Sequence, residues 1–267
     1  MITFDGIVID RILSGVAENF DGDLLYRLTQ LSEASIETSS EAKEAKDAQG
    51  ILIKKTYKSK AVSFKATNAL LELNVIGETT GSGKKTATAS SKIEMPRIIV
   101  TSVKTTMVLP KLPVTGTVRV SALSNTGAII DSYTLAATSS PSDTEFALTV
   151  VGDVATLKFP TNPAADVAQF LVKYQYASSN GVMIDQRADK FPSTIKFTLS
   201  VLVSDPCTAD TLRQAYIVFP SFQVSPDTSI SLDSEANFEF AGDAQVDYCS
   251  ADKQLYYLVL SEDDIVE

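Results

Sequence analysis

Leu24-Leu-Tyr-Arg-Leu28 opens the stretch that decides the fold. A highly polar segment follows, Glu33-Ala-Ser-Ile-Glu-Thr-Ser-Ser-Glu-Ala-Lys-Glu-Ala-Lys-Asp47. Asp47-Ala-Gln-Gly50 then makes a turn, and an apolar-rich run returns from Ile51 through Tyr57 to Phe64. Two strand-like runs joined by a long charged excursion predict an extended β-hairpin. The excursion, residues 33 to 50, has almost nothing to bury in its own subunit. Such an arm is either a floppy loop or a contact made on a neighbouring copy. Its acidic residues Glu33, Glu37, Glu41 and Glu44 lie on the outgoing side, with Lys43, Lys46 and Asp47 leading to the turn at Gly50. Lys54, Lys55, Lys58 and Lys60 form a basic patch just after it. These opposite charges predict pairing within the hairpin or between one copy's arm and another's body. Exposed pairs of this kind give register more than affinity.

Outward from the arm, most of the sequence reads as β. Ile93–Val100, Thr117–Val120, Phe170–Tyr176, Thr194–Val203, Ala215–Phe219, Ser229–Leu232, Phe238–Phe240 and Leu255–Leu260 are strand-like. Phe146–Val151 and Ala155–Phe159 bracket Gly152-Asp153, a hairpin-type turn. Thr and Val are abundant, as a half-buried pleated surface favours. Two short helices are expected. One covers Ala69–Ile76, capped by Thr67 or Asn68 and stopped at Gly77. The other is about two turns over Thr208–Ala215. Gly77–Ser91 and Lys104–Thr115 read as linkers. Residues 111 to 178 then form a compact stretch of about five short strands, read as a small Ig-like inserted domain. The remaining residues, 1–110 and 179–267, form the main domain. The fold class is therefore all-β, mainly an antiparallel β-barrel or sandwich with one or two short helices, plus the Ig-like insert.

Composition narrows the chemistry. The chain of 267 residues has no histidine and no tryptophan. A Ser-His-Asp triad, a Cys-His pair and a His-ligated metal are thereby removed. Carboxylate or Lys/Tyr chemistry stays open, so the enzyme reading is weakened rather than excluded. Cys207 and Cys249 are too few for a four-cysteine zinc site. They read as a possible thiol pair, with two half-buried reduced thiols as the plainer alternative. Asp21-Gly-Asp23 and Ser261-Glu-Asp-Asp264 lack the oxygen spacing of a calcium loop and read as a solvated turn and an acidic tail. In Gly77-Glu-Thr-Thr-Gly-Ser-Gly-Lys-Lys-Thr86, Lys85 stands where a phosphate loop needs Ser or Thr, so a linker is preferred. No apolar run reaches the ~20 residues needed to span a bilayer. The N-terminus lacks a signal-peptide pattern, and synthesis in a cytosol is expected. A net charge of −10 gives no electrostatic grip on DNA. It is compatible with a surface along which DNA slides.

The chain resembles the tail tube, or major tail, proteins of tailed bacteriophages. Near the N-terminus the carrying features are Leu24–Thr38 with the polar arm, Lys46–Gly50 and Phe64–Ala69. Near the C-terminus they are Asp189–Pro192, Asp205–Cys207, Tyr216–Pro220, Ala241–Ala244 and Asp247–Cys249. The match is one of layout over about three quarters of the chain, and residues 111 to 178 fall outside the minimal tube fold. The resemblance implies a virion protein, made in the host cytoplasm, whose copies close into hexameric rings that stack into a tube. It implies an arm that bridges subunits or rings. It also implies partners: further copies of the chain, a tape-measure protein, a sheath or tail terminator, and double-stranded DNA passing without specific binding. No cofactor, metal, catalytic residue or membrane is expected. Two other readings compete: a capsid decoration or head-fibre protein using the Ig-like stretch, and a carboxylate glycoside hydrolase, for which a tryptophan-free chain is poorly suited.

Overall fold

The computed structural model describes residues 6–206, 208–227, 229–230, 237–248 and 251–266. The chain divides into two compact units. Unit 1 comprises Met1–Lys84 and Ile184–Glu267, and unit 2 comprises Lys85–Met183.

Unit 1 is built on one eight-stranded antiparallel sheet. Its first half supplies β1 (Val8–Glu18), β2 (Leu24–Leu28), β3 (Leu31–Lys46) and β4 (Leu52–Asn68), followed by α1 (Leu73–Thr79). A short strand, β5 (Lys84–Thr86), leads into unit 2. Unit 2 contains β6 (Ile93–Ser102), β7 (Thr106–Val108), β8 (Arg119–Leu123), β9 (Ile129–Leu135), β10 (Glu145–Val151), β11 (Val154–Lys158) and β12 (Gln169–Ser178). The chain leaves through β13 (Val182–Ile184), which pairs with β5. β14 (Thr194–Asp205), β15 (Thr208–Val224), β16 (Phe238–Ala244) and β17 (Tyr257–Val266) complete unit 1.

The order in the large sheet is β2-β1-β14-β15-β16-β4-β3, with β17 also on β15. One face of β14 and β15 holds the core, as alternation requires. Phe64 of β4, Phe197, Phe219, Phe222 and Phe240 form one cluster of rings, with contacting ring centroids 5.1 to 6.4 Å apart. All five rings are buried. Burial of each contributes about 1.5–3 kcal/mol relative to exposure. Gly242 sits where this packing is tightest. A Cβ there would collide with the carbonyl oxygen of Gln223 and the ring of Phe222.

Unit 2 has its own core. β6, β12, β8 and β9 form one group, and β10, β11 and β7 another, joined by a short parallel pairing of β9 with β10. Side chains from both groups share one cluster, in which Phe159 stacks on Phe170 at 4.4 Å. This is a small β-sandwich. The Gly152-Asp153 turn joins β10 to β11, with Gly152 at φ 58°.

Four expectations need adjustment. The compact second unit spans 85–183 rather than 111–178. β6 pairs with β12 over ten residues, Ile93↔Ser178 to Ser102↔Gln169, and β7 pairs with β11, so both belong to it. The helix is α1 at 73–79, shifted from 69–76. Thr67 and Asn68 end β4 and do not cap it. The buried Asn68 carboxamide instead accepts from Gln30 N at 3.2 Å and donates to Leu70 O at 2.7 Å, across the bend at Ala69 and Leu70 that precedes the helix. Thr208–Ala215 begins the strand β15, because Leu212–Ala215 complete the ladder to β14. The Gly77–Ser91 stretch is not a free linker: it contains the end of α1 and β5. The strand expected at Ser229–Leu232 lies partly outside the described residues.

Candidate assembly interface

The polar excursion is itself a strand. β3 runs 16 residues and pairs antiparallel with β4 from Leu31↔Asn68 to Lys46↔Leu52. The neighbour of β4 on its other edge, β16, covers only Val62–Asn68. From Ser39 to Ala61 the hairpin therefore has no third strand and projects about 30 Å from the sheet at the ordinary rise per residue. Every residue from Glu37 to Ala61 is exposed. Hydrogen bonding between the two strands satisfies the backbone groups that face each other, while the side chains have no core to enter.

The turn explains how the tip is fixed. Asp47 Oδ1 accepts from Gln49 N at 2.9 Å and from Ile51 N at 2.8 Å, and Gly50 adopts φ 84°. A left-handed residue is needed there, and glycine adopts that conformation without a Cβ penalty. Along the arm Glu44 faces Lys55 and pairs with it at 3.7 Å, and with Lys46 at 3.3 Å. Glu41 faces Ser59, Lys43 faces Thr56 and Lys54 faces Ala45. Among the described residues Glu41, Lys43, Lys54 and Lys58 form no ion pair. Exposed pairs such as Glu44–Lys55 contribute about 0–1 kcal/mol. Charge therefore does not hold the arm's shape; the backbone ladder does.

Glu33 and Glu37 lie away from the tip, at the root of β3. Glu33 stands at a break in register between Ser32 and Ser35, with φ 50°. That bulge turns Ala34 and Ile36 toward a cleft of about 210 Å³ lined also by Ile9 and Ile12 of β1 and by Phe64, Leu199, Val201 and Ile217. Glu37 lies close enough to Lys65 to help raise its pKa. The larger causes are the hydrogen bond and the charge of Glu239, which meets the Lys65 ammonium at 2.6 Å.

Sequence reasoning missed the apolar end of the arm. Ile51, Leu52, Ile53 and Tyr57 are 60%, 49%, 69% and 65% exposed. The Lys55 ammonium lies 5.7 Å from the Tyr57 ring centroid. The sequence shows these residues as a strand-like return. It does not show that no sheet lies beside them. The cysteines Cys207 and Cys249 lie outside the described residues. Among the described residues no group of three or more His, Cys, Asp or Glu side chains could hold a metal ion.

Charge divides unevenly. Unit 2 carries eight Lys/Arg against six Asp/Glu, a net of +2. Unit 1 carries the other fifteen against twenty-seven, a net of −12. The acidity of the chain thus belongs to the unit that bears the arm.

A family model described as the YomU/Tube protein family matches residues 9–258, across both units. Comparison with curated proteins finds no match.

Proposed function

Because the chain belongs to the YomU/Tube protein family, a family of phage tube-like virion proteins, we propose that it is a tail tube subunit. Its copies close into hexameric rings, and the rings stack into the conduit for DNA ejection. The observation that carries this reading is the hairpin from Ser39 to Ala61, ordered by its own ladder, exposed on all sides and apolar at its tip. Exposed apolar residues grouped at the end of a rigid element mark an interaction surface. The free outer edge of β3 adds unpaired backbone groups of the kind that proteins normally cover or pair.

In this reading unit 1 makes the ring and supplies the lumen, with acidic residues keeping phosphates from the wall. The tube encloses a tape-measure protein during assembly, ends at a terminator, and carries a sheath if the tail contracts. It is a structural protein with neither cofactor nor catalytic residue. Unit 2, an Ig-like module in this reading, is dispensable for ring closure. Negative-stain microscopy of the purified protein tests the proposal. Rings or tubes are expected. Monomers alone, or knobs on capsids, would instead favour a decoration role.

A further inference from the structure

The arm tip and the cleft between β1 and β3 are both apolar and both uncovered, and they complement each other in charge. The tip presents Ile51, Leu52, Ile53 and Tyr57, flanked by Lys54 and Lys58, which form no ion pair among the described residues. The cleft presents Ile9, Ile12, Ala34 and Ile36 over a floor of Phe64, Leu199, Val201 and Ile217. Ile9 is 54% exposed. Two carboxylates, Asp10 and Glu33, stand beside these lining residues in sequence. Asp10 pairs with Arg11 at 3.6 Å, which leaves Glu33 as the rim carboxylate, while Glu37 faces a different pocket with Ser63 and Lys65. Glu33, next to the lining Ala34 in sequence, is left-handed at φ 50°.

The tip cannot reach the cleft of its own chain. β3 starts at the cleft, at Ala34 to Ile36, and runs continuously away from it to Lys46. At the ordinary strand rise this separates the two by about 30 Å. The ladder to β4 prevents the arm from folding back. The apolar tip must therefore be covered in trans.

We propose that the arm tip of one copy docks in the β1–β3 cleft of a second copy. Ile53 and Tyr57 fill the cleft, and Lys54 and Lys58 meet Glu33 at its rim. This names the receiving site for the arm contact and rests on the self-assembly reading above. Apolar anchors entering a pocket carry most of the energy of such contacts, and the rim charges set their orientation.

The test uses the full chain with Cys207→Ser and Cys249→Ser. Ile53→Cys is co-expressed, under a different tag, with Ile9→Cys. A short bis-maleimide is added, and mixed-tag dimers are read on a denaturing gel. Tyr248→Cys, at an 85% exposed site, replaces Ile9→Cys as the control. All three positions are exposed, so the fold should tolerate the changes. Assembly of each pair is followed by sedimentation. The expected result is a cross-link with Ile9→Cys and none with Tyr248→Cys. The double variant Ile53→Ser/Tyr57→Ser should need at least about tenfold more protein to assemble, with an unchanged melting temperature. If rings form but Ile53→Cys reaches Ile9→Cys no better than Tyr248→Cys, the cleft is the wrong receiver and self-assembly still stands. If the protein stays monomeric at all concentrations and no cross-link forms, both readings fall.

Discussion

The Tyr26 hydroxyl lies in the unit 1 core with no hydrogen-bond partner among the described residues. Its ring packs edge-on against Phe240 at 6.1 Å. Burial pushes its pKa well above the ordinary tyrosine value of 10.0, and the charge of Glu78 adds to the shift. As pH rises past that value the unfolded chain loses its proton first. The native state then binds more protons, so stability falls with rising pH. Tyr26→Phe should raise stability by about 1 kcal/mol near neutrality, since it removes a hydroxyl that burial leaves unsatisfied. It should also make the alkaline fall shallower. Urea melts at about pH 7 and about pH 11 measure both effects, given the ordinary tyrosine range. An unchanged alkaline slope would show that Tyr26 is not the titrating group. At Gly242 the opposite sign is expected. Gly242→Ala forces a methyl group against the Gln223 carbonyl and the Phe222 ring, and should cost about 1–3 kcal/mol in the same melts.

At the scale of elements, the hairpin of β3 and β4 divides at Val62. Below it, Val62, Phe64 and Ala66 enter the core; above it, nothing does. Removing residues 39–61 and joining Thr38 to Val62 through an Asn-Gly turn should therefore leave the monomer's stability within about 1 kcal/mol, as for other changes distant from the core. Assembly should be lost. Calorimetry and sedimentation on the same preparation separate the two. Normal rings from the shortened chain would show that the arm is not an assembly element.

At the scale of the whole molecule, the two units have separate cores and separate charge. Unit 2 is about a hundred residues, an ordinary size for an independently folding domain. Residues 85–183 expressed alone should melt cooperatively. A chain with a Gly/Ser connector from Lys84 to Ile184 should do the same and still form rings. Loss of all rings from a folded chain of this kind would place unit 2 inside the ring contact. Unit 1, at −12, would also give the tube an acidic wall. Phosphates are then held off over a Debye length of about 8 Å at physiological salt. Free rings should consequently bind double-stranded DNA weakly, with little dependence on salt. Tight, salt-sensitive binding would refute the sliding-channel argument even if the tube proved right.

The sequence by itself determined what depends on short spacing. Alternation in Phe170–Tyr176 and Thr194–Val203 reads directly as β12 and β14, and Gly152-Asp153 marks its turn. Asp47 and Gly50 mark the arm's turn because their chemistry acts within four residues. The family likeness was legible in the layout of both ends. Tertiary structure decided what depends on distant partners. Thr208–Ala215 is a strand because β14 lies beside it, and Ile93–Ser102 belongs to unit 2 because β12, from Ser102↔Gln169 to Ile93↔Ser178, completes its ladder. Ile51, Leu52, Ile53 and Tyr57 look like any buried strand until the structure places no sheet next to them. Local propensity is set by neighbours in the chain. Burial is set by neighbours in space, and only the folded sheet shows which apolar residues were left without any.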